Sequence, residues 1–474
     1  MNAPNDLHSP RRARPPAAAV ASVVARLTAD FGDRAATSTA IRDQHGHGEG
    51  MADAALPDVV VFPHTNDEVA AIVALCNAAR VPVIAFGVGT SLEGHVAAIY
   101  GGVSLDLSRM DRILEVNAGD LDCRVQAGVT REQLNADLKG TGLFFPIDPG
   151  ANATIGGMAA TRASGTNAVR YGTMRENVLG LTVVTADGRV IRTGGRARKS
   201  ASGYDLTRLY VGAEGTLGII TEIQLRLYGV PEAISAAVCQ FEDLEGAVAT
   251  VITAIQHGIP VARIELLDDV QMDACIRYSK LDGYAVKPTL FFEFHGSDAG
   301  VAEQAATMRA LADEHGGSAF EWATKPEDRT RLWKARHAAY YAAMAMVPGK
   351  QGFATDACVP ISRLADCIME TKADVLATGL VAPIVGHVGD GNFHLVVLFD
   401  PNDAAERAKA EALAKRVSLR AIAMGGTCTG EHGIGIHKLD ALVAEHGEAV
   451  DLMRTVKRAL DPNDIMNPGK TVPL

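Results

Sequence analysis

Five stretches of mostly small residues, each with at least one glycine, constrain the fold and the ligands of this chain more than any other feature. Glycine carries no Cβ, so the backbone N–H groups beside it can approach phosphate oxygens closely. Tight turns account for each stretch taken alone. A long, flat ligand that needs many close backbone approaches accounts better for all of them together. The stretches cover residues 87–94, 148–150, 155–157, 163–167 and 214–221.

The first stretch is not the glycine fingerprint of a doubly wound nucleotide-binding fold. Leu92 occupies the place where G-x-G-x-x-G requires its third glycine, and no long helix obviously follows. The stretch follows an apolar run at 81–86, which we predict to be a strand. A β-branched run at 58–63 and a helix from Thr65 to Ala79 precede that strand. This order of strand, helix, strand and glycine loop indicates an α+β domain.

The length of 474 residues exceeds what one hydrophobic core usually organises, so we expect several domains. Up to about residue 230, short apolar runs alternate with Gly- and Asp-rich turns. A helix at 244–256, a strand at 289–294 and a long helix at 300–315 then indicate a second α+β domain. We predict four parts: 1–55, 56–229, 230–424 and 425–474.

The net charge of −11 excludes a general attraction to phosphate backbones or anionic membrane surfaces. Nucleic acid is therefore not an expected partner. An anionic substrate would have to be attracted by local positive charge, from a buried arginine or a metal ion.

Seven scattered cysteines without a C-x-x-C pair indicate reduced thiols in a cytosol-like compartment. The basic start of the chain, Arg11, Arg12 and Arg14, followed by the apolar run 17–24, faintly resembles an export signal. Ser22 and Arg26 interrupt the apolar stretch, which continues to Leu27 and Phe31 without a cleavage-like site, as an amphipathic helix would. No segment approaches the roughly 20 apolar residues of a membrane span. We therefore expect a cytoplasmic location, with peripheral attachment to the inner membrane as the alternative.

Two histidines, His387 and His394, lie on either side of a Gly-Asp-Gly-Asn turn. Their odd separation would place them on opposite faces of an unbroken strand, but the turn relaxes this constraint. Glu431 and His432 offer a further carboxylate and a base. Two histidines and one carboxylate suit Zn, Mn or Fe. The residues alone leave a second interpretation equally open, in which the histidines are hydrogen-bonded in the turn and the Glu-His pair is exposed.

In their residues and their order along the chain, these motifs resemble those of the FAD-linked oxidases of the vanillyl-alcohol oxidase type. Within that family they resemble the cytochrome-linked, mitochondrial-type D-lactate dehydrogenases. The resemblance runs from about Asp58 to Lys470. His95 departs from it, since many relatives have glycine there. The motifs are F-G-V-G-T-S-L-E-G, D-P-G-A, S-G-T-N-A-V-R-Y-G-T-M-R, G-A-E-G-T-L-G, G-H-V-G-D-G-N-F-H and G-T-C-T-G-E-H-G-I-G.

The resemblance implies an FAD-binding domain of two subdomains at 56–229 and a substrate or cap domain at 230–424, with an antiparallel sheet flanked by helices. The C-terminal segment, 425–474, would complete the active site and pack on the FAD domain. The residues implied to hold FAD are Phe86, Gly87, Val88, Gly89, Thr90, Ser91, Gly94, Pro149, Gly150, Gly156, Gly157, Ala163, Ser164, Gly165, Asn167, Tyr171, Gly172, Glu214, Gly218, Ile219, Ile220 and Asn467.

The resemblance also assigns roles in the second half of the chain. It implies a divalent metal, Zn or Mn, with His387, His394 and Glu431 as ligands, and His432 as the catalytic base. Arg336 lies in an apparent helix, where an arginine usually just extends into solvent. The resemblance instead implies that Arg336 clamps the substrate carboxylate, for which a planar two-pronged donor is well shaped. Asn392 is implied to contact the substrate.

The expected activity is FAD-dependent oxidation of a D-2-hydroxy acid, D-lactate to pyruvate in the first place, by hydride transfer to the flavin. D-2-hydroxyglutarate and glycolate are the alternative substrates. Relatives that act on the dicarboxylate have lysine in place of Ala354 and asparagine in place of Val396, so a small acid fits this chain better.

A flavin-binding electron-transfer subunit without turnover is the alternative from another class. It would need the glycine loops but not His432 or Arg336. The expected partners are the 2-hydroxy acid anion, an electron acceptor (a cytochrome, a quinone or an electron-transfer flavoprotein) and a second copy of the chain in a homodimer.

Overall fold

The computed structural model describes residues 13–50 and 55–474, so Arg11, Arg12 and the rest of the expected N-terminal tail lie outside the described residues. The chain forms two compact units. The first contains the described parts of Met1–Ser164, together with Thr173–Gly229 and Glu431–Leu474. The second contains Gly165–Gly172 and Val230–Gly430.

The N-terminal helix and Glu431–Leu474 belong to the first unit, and Gly165–Gly172 belong to the second unit.

The α-helices of the described residues are α1 (Ala17–Phe31), α2 (Thr39–Gln44), α3 (Asn66–Ala79), α4 (Arg131–Asp137), α5 (Ile155–Thr161), α6 (Ala168–Tyr171), α7 (Met174–Asn177), α8 (Leu206–Tyr210), α9 (Leu244–Gln256), α10 (Asp269–Ser279), α11 (Asp298–Glu314), α12 (Pro326–His337), α13 (Ala339–Ala345), α14 (Leu364–Thr378), α15 (Ala404–Ala423), α16 (Leu439–His446) and α17 (Ala449–Leu460).

The β-strands are β1 (Ala35–Ala36), β2 (Val59–Val61), β3 (Val83–Phe86), β4 (Val103–Asp106), β5 (Ile113–Asn117), β6 (Asp122–Gln126), β7 (Leu143–Phe144), β8 (Val178–Thr185), β9 (Val190–Gly194), β10 (Gly218–Arg226), β11 (Tyr228–Gly229), β12 (Ala233–Phe241), β13 (Val261–Leu267), β14 (Thr289–Gly296), β15 (Gly317–Ala323), β16 (Gln351–Ala354), β17 (Ala357–Cys358), β18 (Ile384–Gly386) and β19 (Asn392–Phe399).

The first unit is built on two main sheets over one hydrophobic core. The smaller sheet has the order β1-β2-β4-β3, in which β2, β4 and β3 run parallel. The larger sheet is antiparallel, with the order β5-β6-β10-β8-β9. The Thr65 side chain accepts a hydrogen bond from the Glu68 N–H and caps α3, as the sequence predicts. The smaller sheet places the glycine loop at the carboxyl end of β3.

The second unit is built on an antiparallel sheet of eight strands. Its order is β15-β12-β14-β13-β18-β19-β16, and β17 also pairs with β19. The phenylalanines of β14 are buried, and α10, α12 and α13 contribute to a core with this sheet. The predicted antiparallel sheet with flanking helices is therefore present. β13, β18 and β19 are neighbours in it, and they carry the polar groups described below.

No disulfide joins any two of the seven cysteines, which all lie within the described ranges, and six of them are buried. Within the described ranges, none of the helices combines the length and the apolar character needed to cross a bilayer.

Candidate active site

The glycine loop of the first unit is packed so tightly that side chains cannot replace two of its glycines. A Cβ at Gly87 would collide with Thr154 Oγ1, at the N-terminus of α5. Gly89 has a φ of 74°, and a Cβ there would lie 2.8 Å from Cζ of Phe86. Phe86 itself is buried at the end of β3. The loop therefore presents backbone, and not side chains, at this point.

The same loop carries hydrogen-bond donors that the protein does not use. In the part of the chain that the structure describes, none of the backbone N–H groups from 87 to 92 donates to a protein acceptor. The Ser91 hydroxyl is buried and also lacks a protein partner there. Thr90 lies among these donors, Val88 is exposed and Gly94 is buried. A row of unused N–H groups around bare glycines fits the pyrophosphate of a dinucleotide such as FAD.

Packing within the protein explains some of the other small residues. A Cβ at Gly156 would lie 2.6 Å from Cβ of Ala127, and a Cβ at Gly218 would lie 2.8 Å from Val183. Ile219 and Ile220 are buried in β10, and Ala163 is buried as well. Pro149, Gly150, Gly157 and Ser164 lie at partly or fully exposed positions of the first unit.

Asn467 joins the glycine loop to the strand β10 region. Its side-chain amide donates to the carbonyl oxygens of His95, at 3.1 Å, and Glu214, at 2.8 Å. The Glu214 carboxylate accepts from the N–H groups of Ile434 and Gly435. Burial raises the pKa of Glu214, but His95 and these donors outweigh it and lower the pKa. The Glu214 side chain thus holds the C-terminal segment, which differs from the cofactor contact implied by the resemblance.

His432 lies beside a buried carboxylate that sequence reasoning missed. Its Nδ1 is 3.5 Å from Oε1 of Glu93, which also faces Lys438 at 3.0 Å and His437 at 3.4 Å. Burial raises the pKa of Glu93, but Lys438 and the two imidazoles outweigh it and hold that pKa well below its usual range. Glu93 is thus the carboxylate that faces Nδ1 of the implied catalytic base, His432. Glu431 precedes it in the same unit.

The two histidines of the Gly-Asp-Gly-Asn turn do come together, in the second unit. Their ring centroids are 5.4 Å apart, and a nitrogen of each ring lies within 4.8 Å of the other. His387 Nδ1 lies 2.8 Å from Oε1 of Glu265, and His394 Nδ1 lies 2.8 Å from the Thr355 carbonyl oxygen. Since both acceptors require a proton on Nδ1, Nε2 is the ring nitrogen that each histidine can offer to a metal. Histidines that bind a metal through one ring nitrogen typically donate a hydrogen bond from the other to a carboxylate or a carbonyl oxygen.

Arg336 also bonds to Glu265. Its Nε and Nη2 lie 2.8 and 2.7 Å from Oε2 of that carboxylate. Burial raises the pKa of Glu265, but His387 and Arg336 outweigh it and lower the pKa. A charged residue in the apolar strand β13 is the signal that could have found Glu265, because a buried charge needs partners.

Asn392 uses both of its amide N–H groups within the protein. They donate to Asp356 Oδ1 at 2.7 Å and to the Ala357 carbonyl oxygen at 2.9 Å. Asp356 also accepts from the Thr429 hydroxyl at 2.6 Å. For a substrate, Asn392 therefore offers its Oδ1 as an acceptor. Asp356 is a further residue that sequence reasoning missed.

Gly165, Asn167, Tyr171 and Gly172, which the resemblance implies in FAD binding, lie in the second unit. There Asn167 Oδ1 accepts from Arg263 Nε at 2.9 Å. The glycine loop, 87–94, belongs to the first unit.

The α+β fold, the row of backbone donors in the glycine loop and the histidine pair beside an anchored arginine fit a flavoprotein oxidoreductase. Residues 57–194 match the model described as the FAD binding domain, and residues 230–471 match that of the FAD linked oxidases, C-terminal domain. The solved structure of 4-ethylphenol oxidase from Gulosibacter chungangensis has the same fold, with a TM-score of 0.77 at 18% identity over 97% of this chain and 98% of that one.

The chain belongs to the FAD-linked oxidase family, as its motifs predict. It is 51% identical to the probable mitochondrial D-lactate dehydrogenase of Danio rerio, over 98% of this chain and 95% of that protein. It is 48% identical to the mitochondrial D-lactate dehydrogenase [cytochrome] of Arabidopsis thaliana, over 88% of this chain and 74% of that one. A glycolate oxidase subunit of Bacillus subtilis is 34% identical over 88% of this chain and 89% of that one. The predicted fold class, enzyme class and FAD cofactor are confirmed.

The expected cytoplasmic location is wrong by the same comparison, because the Danio rerio and Arabidopsis thaliana relatives are both named as mitochondrial. Scattered, unpaired cysteines are compatible with any reducing compartment, so their spacing could not have made this distinction.

Proposed function

We propose that this chain oxidises D-lactate to pyruvate with FAD as the hydride acceptor. The observation that carries the proposal is the arrangement in the second unit, where the buried carboxylate of Glu265 bonds to both Arg336 and His387. An arginine suits a substrate carboxylate, and an imidazole ligand suits a metal that binds the hydroxyl. The relatives named D-lactate dehydrogenase support the same substrate.

The residues beside the histidine pair favour a small substrate. Ala354 and Val396 are direct partners across the antiparallel pair β16 and β19. Val396 lies two residues after His394 on β19, so both side chains point to the same face. Two neighbouring apolar side chains on that face provide no donor for a distal carboxylate. This supports D-lactate or glycolate over D-2-hydroxyglutarate.

The chain's own residues would divide the work as follows. Arg336 binds the substrate carboxylate and orients C2. His432 accepts the hydroxyl proton, and the Glu93 carboxylate lies 3.5 Å from its Nδ1. Asn392 Oδ1 is available to accept a hydrogen bond from the substrate. Bound FAD supplies the two-electron acceptor for the hydride that leaves C2.

A divalent metal, Zn or Mn, forms part of the proposal, with His387, His394 and Glu431 as its ligands. The donor set fits, because both histidines have Nδ1 bonded to a protein acceptor, and one ligand atom of each lies within 4.8 Å of the other. Such an ion lowers the pKa of a bound hydroxyl. We further propose a cytochrome as the electron acceptor, as the name of the Arabidopsis thaliana relative suggests.

The test is anaerobic addition of D-lactate, glycolate or D-2-hydroxyglutarate to the purified FAD-loaded protein, with the flavin absorbance as readout. We expect D-lactate to bleach the flavin fastest at low concentration. Faster bleaching by glycolate would show that glycolate, and not D-lactate, is the preferred substrate. A flavin that no 2-hydroxy acid reduces would favour the electron-transfer subunit instead.

A further inference from the structure

We propose that Glu265 is a positioning residue that couples the metal ligand His387 to the carboxylate clamp Arg336. The inference rests on the proposed function, which assigns those two roles. Glu265 belongs to none of the motifs from which the site was predicted. It would make metal binding and substrate binding depend on one another through a single carboxylate.

Glu265 is held rigidly. It lies on β13, which pairs with β14 on one side and β18 on the other. Its side chain is only 1% exposed. His387 Nδ1 lies 2.8 and 2.9 Å from the two carboxylate oxygens, and Arg336 Nε and Nη2 lie 2.8 and 2.7 Å from Oε2. A carboxylate buried in the middle of a sheet can move little, so both partners take their orientation from it.

The bond to Glu265 decides which nitrogen of His387 can bind a metal. A carboxylate accepts, so Nδ1 carries the proton of this bond and Nε2 is the nitrogen that can bind a metal. Partners of this kind also fix the plane of the ring, and their loss typically weakens metal affinity by about ten- to hundredfold.

The same bond decides which edge of Arg336 can bind a substrate. Glu265 takes the Nε and Nη2 side of the guanidinium. The donors of Nη1 and the second hydrogen of Nη2 remain, and they form the end of the fork that suits a carboxylate. Without its anchor the long side chain would regain rotamer freedom, which each binding event would have to remove.

The same sheet offers a matched control. Glu293, on the adjacent strand β14, is also buried and also joins a histidine to an arginine, with His295 Nε2 at 2.8 Å and Arg263 Nε at 3.5 Å. Neither of these partners has a role in the proposed metal or carboxylate binding. Glu293→Gln therefore removes the same kind of buried charge from the same sheet.

The experiment compares the parent, Glu265→Gln and Glu293→Gln as full-length, FAD-loaded proteins. Metal is removed, and Zn²⁺ or Mn²⁺ alone is titrated back in competition with a chelator. We expect Glu265→Gln to weaken metal affinity about ten- to hundredfold, and at saturating metal to raise the D-lactate concentration for half-maximal flavin reduction severalfold. Glu293→Gln should leave metal affinity unchanged. Equal weakening in both variants, or no change in Glu265→Gln, would overturn the proposal.

A second variant covers the case in which Glu265→Gln does not fold. Arg336→Met removes the other partner of the carboxylate, so it should weaken metal affinity by a smaller factor although Arg336 is no metal ligand. Unchanged affinity in Arg336→Met would overturn the coupling. A parent protein that binds neither ion would refute the metal proposal and the coupling together. A parent that binds metal but is not reduced by D-lactate would refute only the proposed substrate, because the metal titration still tests Glu265.

Discussion

Replacing Gly89 by alanine tests whether the glycine loop binds the cofactor. Gly89 has a φ of 74°, where an L-residue costs about 1–2 kcal/mol. The new Cβ would also lie 2.8 Å from Cζ of Phe86. The Phe86 ring is buried with its centroid 4.2 Å from that of His45, so it has little room to yield. We therefore expect the loop to shift instead and to misplace its row of N–H groups.

The size of the effect follows from the hydrogen bonds at risk. A hydrogen bond to a charged group contributes about 1.5–3 kcal/mol. Losing one such bond to the pyrophosphate would weaken FAD affinity about ten- to hundredfold. Gly142→Ala is the matched control, because Gly142 has a φ of 75° and a Cβ there would meet nothing within 4 Å. It should cost the same backbone strain and leave FAD affinity unchanged.

The assay has two parts. FAD is titrated into the apoprotein of each variant while the quenching of flavin fluorescence is followed, and urea unfolding of each apoprotein measures the strain. We expect the free energy of unfolding to fall in both variants and FAD affinity to fall only in Gly89→Ala. If both variants bind FAD equally well despite similar losses of stability, then this part of the loop does not hold the cofactor.

Three further predictions concern turnover, metal and pH. Arg336→Ala should raise KM for D-lactate and lower kcat. His432→Ala should still bind substrate but slow flavin reduction by about 10²- to 10⁴-fold, as measured by anaerobic stopped flow. An unchanged rate of flavin reduction in His432→Ala would show that the base is another group. Chelation should abolish D-lactate oxidation and leave FAD bound, and full activity in protein shown by elemental analysis to be metal-free would contradict the ligand assignment. The hydrogen bond from Arg34 outweighs partial burial and lowers the pKa of Glu68 to about 2. The ionised Glu68 therefore stabilises the folded chain above the ordinary pKa of a glutamate, and this stabilisation is lost as pH falls through the lowered pKa. The difference in unfolding free energy between the parent and Glu68→Gln should therefore be smaller at about pH 3 than at about pH 5, and a constant difference would contradict the shift.

Much of the secondary structure could be predicted because its signals are local. The helix α9 has the predicted bounds, 244–256, and α3 begins at the predicted cap Thr65. Caps, apolar periodicity and glycine turns act over a few residues, so a short window of sequence contains them. The glycine loop and the histidine turn were found in the same way.

The sequence by itself determined the family, the two kinds of domain and the residues that carry chemistry, because these depend on local patterns and on motifs in a fixed order. Only the tertiary structure decided which groups those residues bond to. Glu265 is separated from Arg336 by 71 residues and from His387 by 122, and no short window contains such a pair. The segment 165–172 was likewise assigned to the second unit by packing alone. The physical reason is that a buried charge is stabilised by whichever donors the folded chain brings to it, and strand pairing over long sequence separations sets which donors those are.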